Sequence, residues 1–111
     1  MSSALTAQNW ATQPRRALSA TEVVTRLAAL DSWQLTGDGA SVAIEKRFTF
    51  ADYYETLAFV NAVAFVAHRQ DHHPELQVHY NRCVVRFNTH DVAGISSTDF
   101  DCAAQVDALL A

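Results

Sequence analysis

Residues 42–55 read VAIEKRFTFADYYE, and this stretch decides the fold. One face of its first nine residues carries Lys46 and four apolar side chains, Val42, Ile44, Phe48 and Phe50. A period of two with one apolar face predicts a half-buried strand of an antiparallel sheet. Asp52 and Glu55 follow as a capping-box pair, a pattern that opens a helix. The stretch therefore predicts a strand that leads directly into a helix.

The chain after this stretch predicts the second half of the fold. Apolar residues recur at helical spacing to about Gln70. Pro74 prevents much continuation, because the residue before a proline is pushed out of the helical region. Two further strands are predicted at 77–80 and 83–88, joined by a tight turn at 81–82.

The flanking segments complete the element order. Ser19 and Glu22 form another capping-box pair, which predicts a first helix of about three turns. A short strand at 33–35 and a turn at 37–39 lead into the alternating strand, and residues 96–99 begin a last helix. The order α-β-β-α-β-β-α predicts an α+β fold with a four-stranded antiparallel sheet and three helices packed on one face.

The composition supports one folded domain. The chain has 111 residues, of which 50% are hydrophobic and 18% charged. That is enough for one packed core and leaves no room for a second domain. We expect residues 18–111 to form this domain. Residues 1–17, rich in Ser, Ala, Thr and Gln, are expected to be a flexible N-terminal extension.

Charge and cysteine content exclude several classes of partner. The 8 Lys and Arg against 12 Asp and Glu give a net charge of −4, so we expect no basic stripe for nucleic acid. No apolar run is long enough to cross a bilayer, and residues 1–13 lack the apolar core of a signal peptide. Cys83 and Cys102 form no C-x-x-C pair. We therefore expect a cytoplasmic protein without membrane or direct nucleic-acid partners.

All five histidines lie between residues 68 and 90. His68 and His72 are four apart at the expected helix end, so we expect them on one face. His72 and His73 precede Pro74, and His90 follows a strand. Three interpretations are open: the histidines complement the helix dipole, bind a metal ion, or transfer protons near neutral pH. The lack of an H-E-x-x-H motif weighs against the metal.

A longer motif unites these residues. The sequence His68-x-x-x-His72-His73-Pro74 is followed by Tyr80, by Thr89-His90-Asp91, and by Gly94 and Asp99. This motif, with the strand that ends in Phe48-Thr49-Phe50, resembles the signature of the pterin-4a-carbinolamine dehydratases. The resemblance covers the chain from about Leu18 to its C-terminus.

The resemblance implies a metal-free dehydratase that needs no cofactor, because the pterin is its substrate. In that reaction water leaves C4a of the 4a-hydroxytetrahydropterin that aromatic amino-acid hydroxylases release, and a proton leaves N5. The product is the quinonoid dihydropterin. The implied catalytic residues are His72, His73 and His90, and their division between acid and base stays open. The implied substrate-binding positions are Asp71, Pro74, Asn88, Thr89 and Asp91.

Some positions fit the motif less simply. Asp99 matches its final acidic residue but also completes a cap that begins at Ser96, so we expect its role to be at least half structural. Leu76 replaces an aromatic residue that is common after Pro-Glu, which puts a stacking wall for the substrate in doubt. His68 and His79 have no catalytic counterpart.

The resemblance also implies partners. It predicts a homo-oligomer, either a dimer or a tetramer, and a functional link to an aromatic amino-acid hydroxylase. The same family includes a dimerisation cofactor of homeodomain transcription factors and relatives thought to assist Rubisco assembly. A non-catalytic assembly or dimerisation factor is therefore the alternative function. The retained histidines favour the enzyme.

Overall fold

The computed structural model describes residues 15–111 as three helices and one four-stranded sheet. The helices are α1 (Ala20–Ala28), α2 (Tyr53–Gln70) and α3 (Ser97–Ala108). The strands are β1 (Gln34–Thr36), β2 (Ala43–Thr49), β3 (Glu75–Val78) and β4 (Arg82–Phe87). The predicted order and the α+β class are confirmed. Most of the predicted extension, residues 1–14, lies outside the described residues.

The sheet has the strand order β1-β2-β4-β3, and every neighbouring pair is antiparallel. Strands β2 and β4 are therefore the two inner strands. Phe48 of β2 lies opposite Cys83 of β4. Every second residue of β4 is buried, namely Cys83, Val85 and Phe87. Alternation of buried and partly exposed residues is expected for a strand with helices on one face only.

Strand β3 begins two residues earlier than predicted. It starts at Glu75, directly after Pro74, and ends at Val78, so the predicted strand at 77–80 was misplaced. Proline favours extended backbone on both sides, and Glu75 already pairs with Arg86. The predicted turn shifts accordingly to residues 79–81, where the His79 N–H donates to the Arg82 carbonyl over 2.9 Å.

The core lies between the sheet and the helices. Fully buried side chains include Ile44, Val85 and Phe87 from the sheet and Val63, Phe100 and Val106 from the helices. Burying one such side chain is worth about 1.5–3 kcal/mol. Packing of this layer therefore holds the helices against the sheet, with the ends of β3 and β4 at its edge.

The helices begin at the predicted caps, with one difference. The Ser19 hydroxyl accepts from the Glu22 N–H over 3.2 Å, and the Glu22 carboxylate accepts from the Ser19 N–H over 2.9 Å. Asp52 likewise accepts from the Glu55 N–H over 2.9 Å. The Glu55 carboxylate, however, accepts from the Ala51 N–H instead of the Asp52 N–H. The second capping box is therefore only half formed.

Helix α2 ends in a sharp turn that decides where the following histidines lie. Asp71 adopts the left-handed conformation, with φ 47° and ψ 45°, and caps the helix. The His72 N–H then donates back to the Ala67 carbonyl over 3.1 Å. His72 is therefore outside the helix and buried, whereas His68 is exposed on its last turn. The expectation that His68 and His72 share one helical face was wrong.

Candidate active site

Two segments of the chain meet at one end of the sheet. Residues 71–75 connect α2 to β3, and residues 88–91 follow β4. Because Glu75 pairs with Arg86, the residues just before Glu75 lie beside those just after Arg86. Strand pairing therefore brings together the two histidine-containing parts of the motif, which are separated in the sequence by a hairpin.

An open cleft of about 460 Å³ lies where these segments meet. Its lining residues are Ala40, Ser41, His73, Glu75, Arg86, Asn88 and His90. His73 and His90 are both exposed. The cleft therefore offers two solvent-accessible imidazoles to one small molecule.

His72 is not among the residues that line this cleft. It is only 6% exposed, and its ring stacks on Phe87 with 6.0 Å between ring centroids and 11° between planes. Its Nε2 lies 2.5 Å from Oδ1 of Asp99. His72 is thus buried and hydrogen-bonded to Asp99, whereas His73 and His90 line the cleft; that all three serve one site stays a prediction.

Asp99 is the centre of a buried polar network. Its carboxylate is completely buried, and Oδ2 accepts from the Thr89 hydroxyl over 2.6 Å and from the Ser96 N–H over 2.9 Å. The Thr89 and Ser96 hydroxyls also lie 2.6 Å apart. A buried carboxylate is tolerated only when hydrogen bonds satisfy its oxygens, and here His72, Thr89 and Ser96 do so. Asp99 therefore joins α3 to both histidine-containing segments.

Arg15 contacts the same region from the N-terminal side. Its guanidinium lies 3.3 Å from Nδ1 of His72, 3.4 Å from Oδ1 of Asp91 and 3.4 Å from the Asp71 carbonyl oxygen. The sequence interpretation had placed Arg15 in the flexible extension. An arginine followed by Arg16 in a polar segment carries no local signal for these long-range contacts.

The remaining predicted residues lie around the cleft in different ways. The Asn88 side chain donates to the Val42 carbonyl over 2.5 Å, while Pro74 is half-buried. Asp71 and Asp91 are exposed beside Arg15. Thr89 belongs to the Asp99 network, because its hydroxyl contacts both Asp99 and Ser96.

Arg86 is a cleft residue that the sequence interpretation missed. Its guanidinium donates to the Thr36 hydroxyl over 2.6 Å and to the Ser41 carbonyl over 2.7 Å, and lies 3.5 Å from Glu45. These contacts tie the loop after β1 to the cleft. The alternation of β4 puts Arg86 on the face away from the core, which is the one signal that could have pointed to it.

The loop that brings Ser41 to the cleft needs glycine at one position. Gly37 has φ +74°, and a Cβ atom there would lie 2.5 Å from the Ser41 carbonyl oxygen. A side chain would therefore displace the carbonyl that Arg86 binds.

The ionisable side chains that line the cleft are two imidazoles, one carboxylate and one guanidinium. Within residues 15–111, no three His, Cys, Asp or Glu side chains are arranged to hold a metal ion. Cys102 lies one turn of α3 beyond Asp99, and burial, with smaller contributions from the nearby Asp99 and Asp101 carboxylates, raises the pKa of its thiol to about 12. A thiol held protonated is a poor nucleophile. Imidazole can give and take protons near neutral pH, and His73 and His90 bring two such groups to the cleft.

Comparisons with known proteins agree on a family. The family described as pterin 4 alpha carbinolamine dehydratase matches residues 16–109. A protein of Paracidovorax citrulli, provisionally named a pterin-4-alpha-carbinolamine dehydratase, is 68% identical over 99% of this chain and 95% of its own length. A protein of Bdellovibrio bacteriovorus with the same provisional name is 53% identical over 85% of this chain and 78% of its own length.

Solved structures show the same fold. A transcriptional coactivator/pterin dehydratase from Brucella melitensis superposes with a TM-score of 0.80 at 32% identity, over 86% of this chain and 100% of that one. A pterin dehydratase-like protein, identified as a RuBisCO assembly factor in the alpha-carboxysome, gives a TM-score of 0.60 at 26% identity. That match covers 70% of this chain and 88% of the other.

Proposed function

The chain belongs to the pterin 4 alpha carbinolamine dehydratase family, and on that premise we propose that it removes water from a 4a-hydroxytetrahydropterin. The product is the quinonoid dihydropterin of tetrahydropterin recycling. The observation that carries the proposal is the cleft in which His73 and His90, from separate segments, are both exposed.

The reaction needs one acid and one base. The C4a–O bond breaks as the acid protonates the departing hydroxyl, which leaves as water. The base removes the N5 proton, and the electron pair of that N–H bond forms the C4a=N5 double bond. The acid has then lost one proton and the base has gained one. Proton exchange with solvent returns both residues to their starting state. Imidazole, with an unperturbed pKa of about 6.5, suits either role.

We assign the two proton transfers to His73 and His90 and a positioning role to His72. Support comes from exposure and partners, since both ring nitrogens of His72 already lie within hydrogen-bond distance of protein groups. His72 then acts on the reaction through Asp99 and Thr89, which lead to the segment that carries His90. We propose that Asp71, Pro74, Asn88, Thr89 and Asp91 form the surroundings of the pterin ring, with backbone groups contributing.

The test is turnover in a coupled assay with an aromatic amino-acid hydroxylase. His73→Ala and His90→Ala should each lower kcat by about 100-fold or more, because a positioned acid or base contributes about 10²–10⁴-fold. His68→Ala and His79→Ala are matched controls, since both side chains are exposed and neither lines the cleft. Full activity in both cleft variants would refute the proposal.

A second function rests on the likeness to the alpha-carboxysome assembly factor. An assembly or dimerisation role would need a stable protein partner and no pterin turnover. Purified protein that shows no dehydration but elutes as a stoichiometric complex with a larger partner would favour this alternative.

We further propose a homo-oligomer that works beside an aromatic amino-acid hydroxylase in the cytoplasm. Exposed apolar side chains on α2, including Tyr54 at 81% exposure, Leu57 and Phe65, offer a surface for association. The free, buried cysteines Cys83 and Cys102 suit a reducing compartment. None of the helices within residues 15–111 is long and apolar enough to cross a membrane. Light scattering of the purified protein gives the number of subunits.

A further inference from the structure

We propose that Arg15 is a positioning residue of this active site, which joins the two histidine-containing segments and keeps Nδ1 of His72 free of a proton. The proposal rests on the proposed function for its effect on turnover. The effect of Arg15 on the protonation of His72 does not depend on that function, because it follows from the geometry of the protein without substrate.

The first support is the set of atoms that Arg15 reaches. The Asp71 carbonyl and His72 Nδ1 belong to the segment after α2, and the Asp91 carboxylate belongs to the segment after β4. These two segments also carry His73 and His90. One guanidinium thus contacts both segments, and its side chain is only 12% exposed, whereas that of Asp91 is 68% exposed.

The second support is the direction of the hydrogen bonds. A guanidinium has five N–H donors and no acceptor, so its contact with Nδ1 of His72 is a hydrogen bond only if Nδ1 carries a bare lone pair. The hydrogen of the neutral ring must then lie on Nε2. From there it can be donated to Asp99 over 2.5 Å.

The consequence is a fixed order of donors and acceptors through the buried network. Arg15 donates to His72, and His72 donates to Asp99, which also accepts from Thr89 and the Ser96 N–H. Without Arg15, Nδ1 could carry the hydrogen and Nε2 would turn a lone pair toward the Asp99 carboxylate. That arrangement is repulsive, and protonation of both nitrogens would relieve it.

His72 lies among charged groups from three parts of the chain. Asp99 contacts it from α3 and Arg15 from the N-terminal side, while Asp91, on the turn after β4, pairs with Arg15. Arg15 is the cation among them that contacts the ring directly. Its removal should therefore favour a proton at Nδ1.

The test compares Arg15→Ala with Arg16→Ala. Arg16 is the matched control, because its exposed guanidinium pairs with Glu22 away from the cleft, at 2.7 Å and 2.9 Å. The first measurement is the ¹⁵N shift of each His72 ring nitrogen at pH 7 without ligand. We expect a bare Nδ1 and a protonated Nε2 in the wild type and in Arg16→Ala, and a partly protonated Nδ1 in Arg15→Ala.

The second measurement is turnover of the same variants. Arg15→Ala should lower kcat by about 10-fold, the lower end of what outer-shell partners contribute, while Arg16→Ala should leave kcat unchanged. Arg15→Lys, which also only donates, should restore the wild-type ¹⁵N shifts. If Arg15→Ala does not fold by circular dichroism, Arg15→Gln takes its place, because its amide oxygen can accept from a protonated Nδ1, which a guanidinium cannot do.

The two measurements separate the possible failures. Unchanged ¹⁵N shifts in the folded Arg15 variant would mean that Arg15 does not control protonation of Nδ1 of His72, and would overturn that part of the proposal. Changed shifts with unchanged kcat, or equal losses in the Arg15 and Arg16 variants, would overturn the positioning role. A wild type without any dehydration would refute the proposed function, and the ¹⁵N shifts would still decide whether Arg15 keeps Nδ1 of His72 free of a proton.

Discussion

His72 and His73 are adjacent in the sequence, yet they lie in opposite environments. His72 is 6% exposed and contacts Arg15 and Asp99, whereas His73 is exposed and lines the cleft. The chain is leaving the Asp71 turn for an extended strand, and successive side chains of extended backbone point to opposite sides. The comparison shows that two identical neighbours can have different surroundings, and under the proposed function one holds the site while the other transfers a proton.

The largest expected effect on stability comes from removing the partner of His72. Asp99→Ala leaves the Thr89 hydroxyl, the Ser96 N–H and Nε2 of His72 without their buried partner. We expect a loss of about 3–5 kcal/mol in the free energy of unfolding, the cost of breaking a buried polar pair from one side. Urea denaturation measures it.

The matched control for this loss is Asp101→Ala on the same helix. Its carboxylate makes an ion pair of 3.2 Å with Arg26, and both side chains are largely exposed. Exposed pairs are worth about 0–1 kcal/mol. Equal stability of the Asp99 and Asp101 variants would mean that the buried network does not hold the site.

The two variants in which one of these histidines is replaced by alanine should also differ in their free energy of unfolding. His72→Ala leaves a cavity beside Phe87 and removes a donor from Asp99, so we expect a loss of about 2 kcal/mol. His73→Ala changes an exposed position, for which about 0.5 kcal/mol or less is expected. Thermal unfolding of both variants checks the difference. If the His73 variant were the less stable of the two, the result would contradict the structural role assigned to His72.

The smallest expected effect on stability concerns the exposed carboxylate of Glu22, in contrast to the buried carboxylate of Asp99. Hydrogen bonds from Arg16 and from the Ser19 backbone lower the pKa of Glu22 from its ordinary 4.5 to about 2. A lowered pKa means that the carboxylate stabilises the folded protein above pH 4.5 and that this stabilisation is lost as the pH falls toward 2. An NMR titration of the Glu22 carboxyl should give a midpoint near 2, and a midpoint near 4.5 would contradict the capping geometry.

Much of the fold was predictable because its signals are local. The alternation in β2, the capping residues Ser19 and Asp52, and the break at Pro74 each act within a few residues of themselves. Local signals also indicated that the histidine segments lie at element ends. Strand pairing then explains why those ends meet.

The division between His72 and His73 was not predictable for the same reason. It depends on Asp71 adopting the left-handed conformation and on contacts with Asp99 and Arg15, which are 27 and 57 residues away from His72. The pairing of Arg86 with the loop after β1 likewise spans 45 residues. Such contacts have no signature in the neighbouring sequence, and only the folded chain brings them together.

The most direct test of this division is chemical rescue of activity by added imidazole. Imidazole can diffuse into the open cleft in His73→Ala, whereas the space left in His72→Ala is closed to solvent, because the His72 ring is buried beside Phe87. We therefore predict that imidazole restores part of the lost turnover in His73→Ala and none in His72→Ala. Rescue of His72→Ala without rescue of His73→Ala would contradict the account.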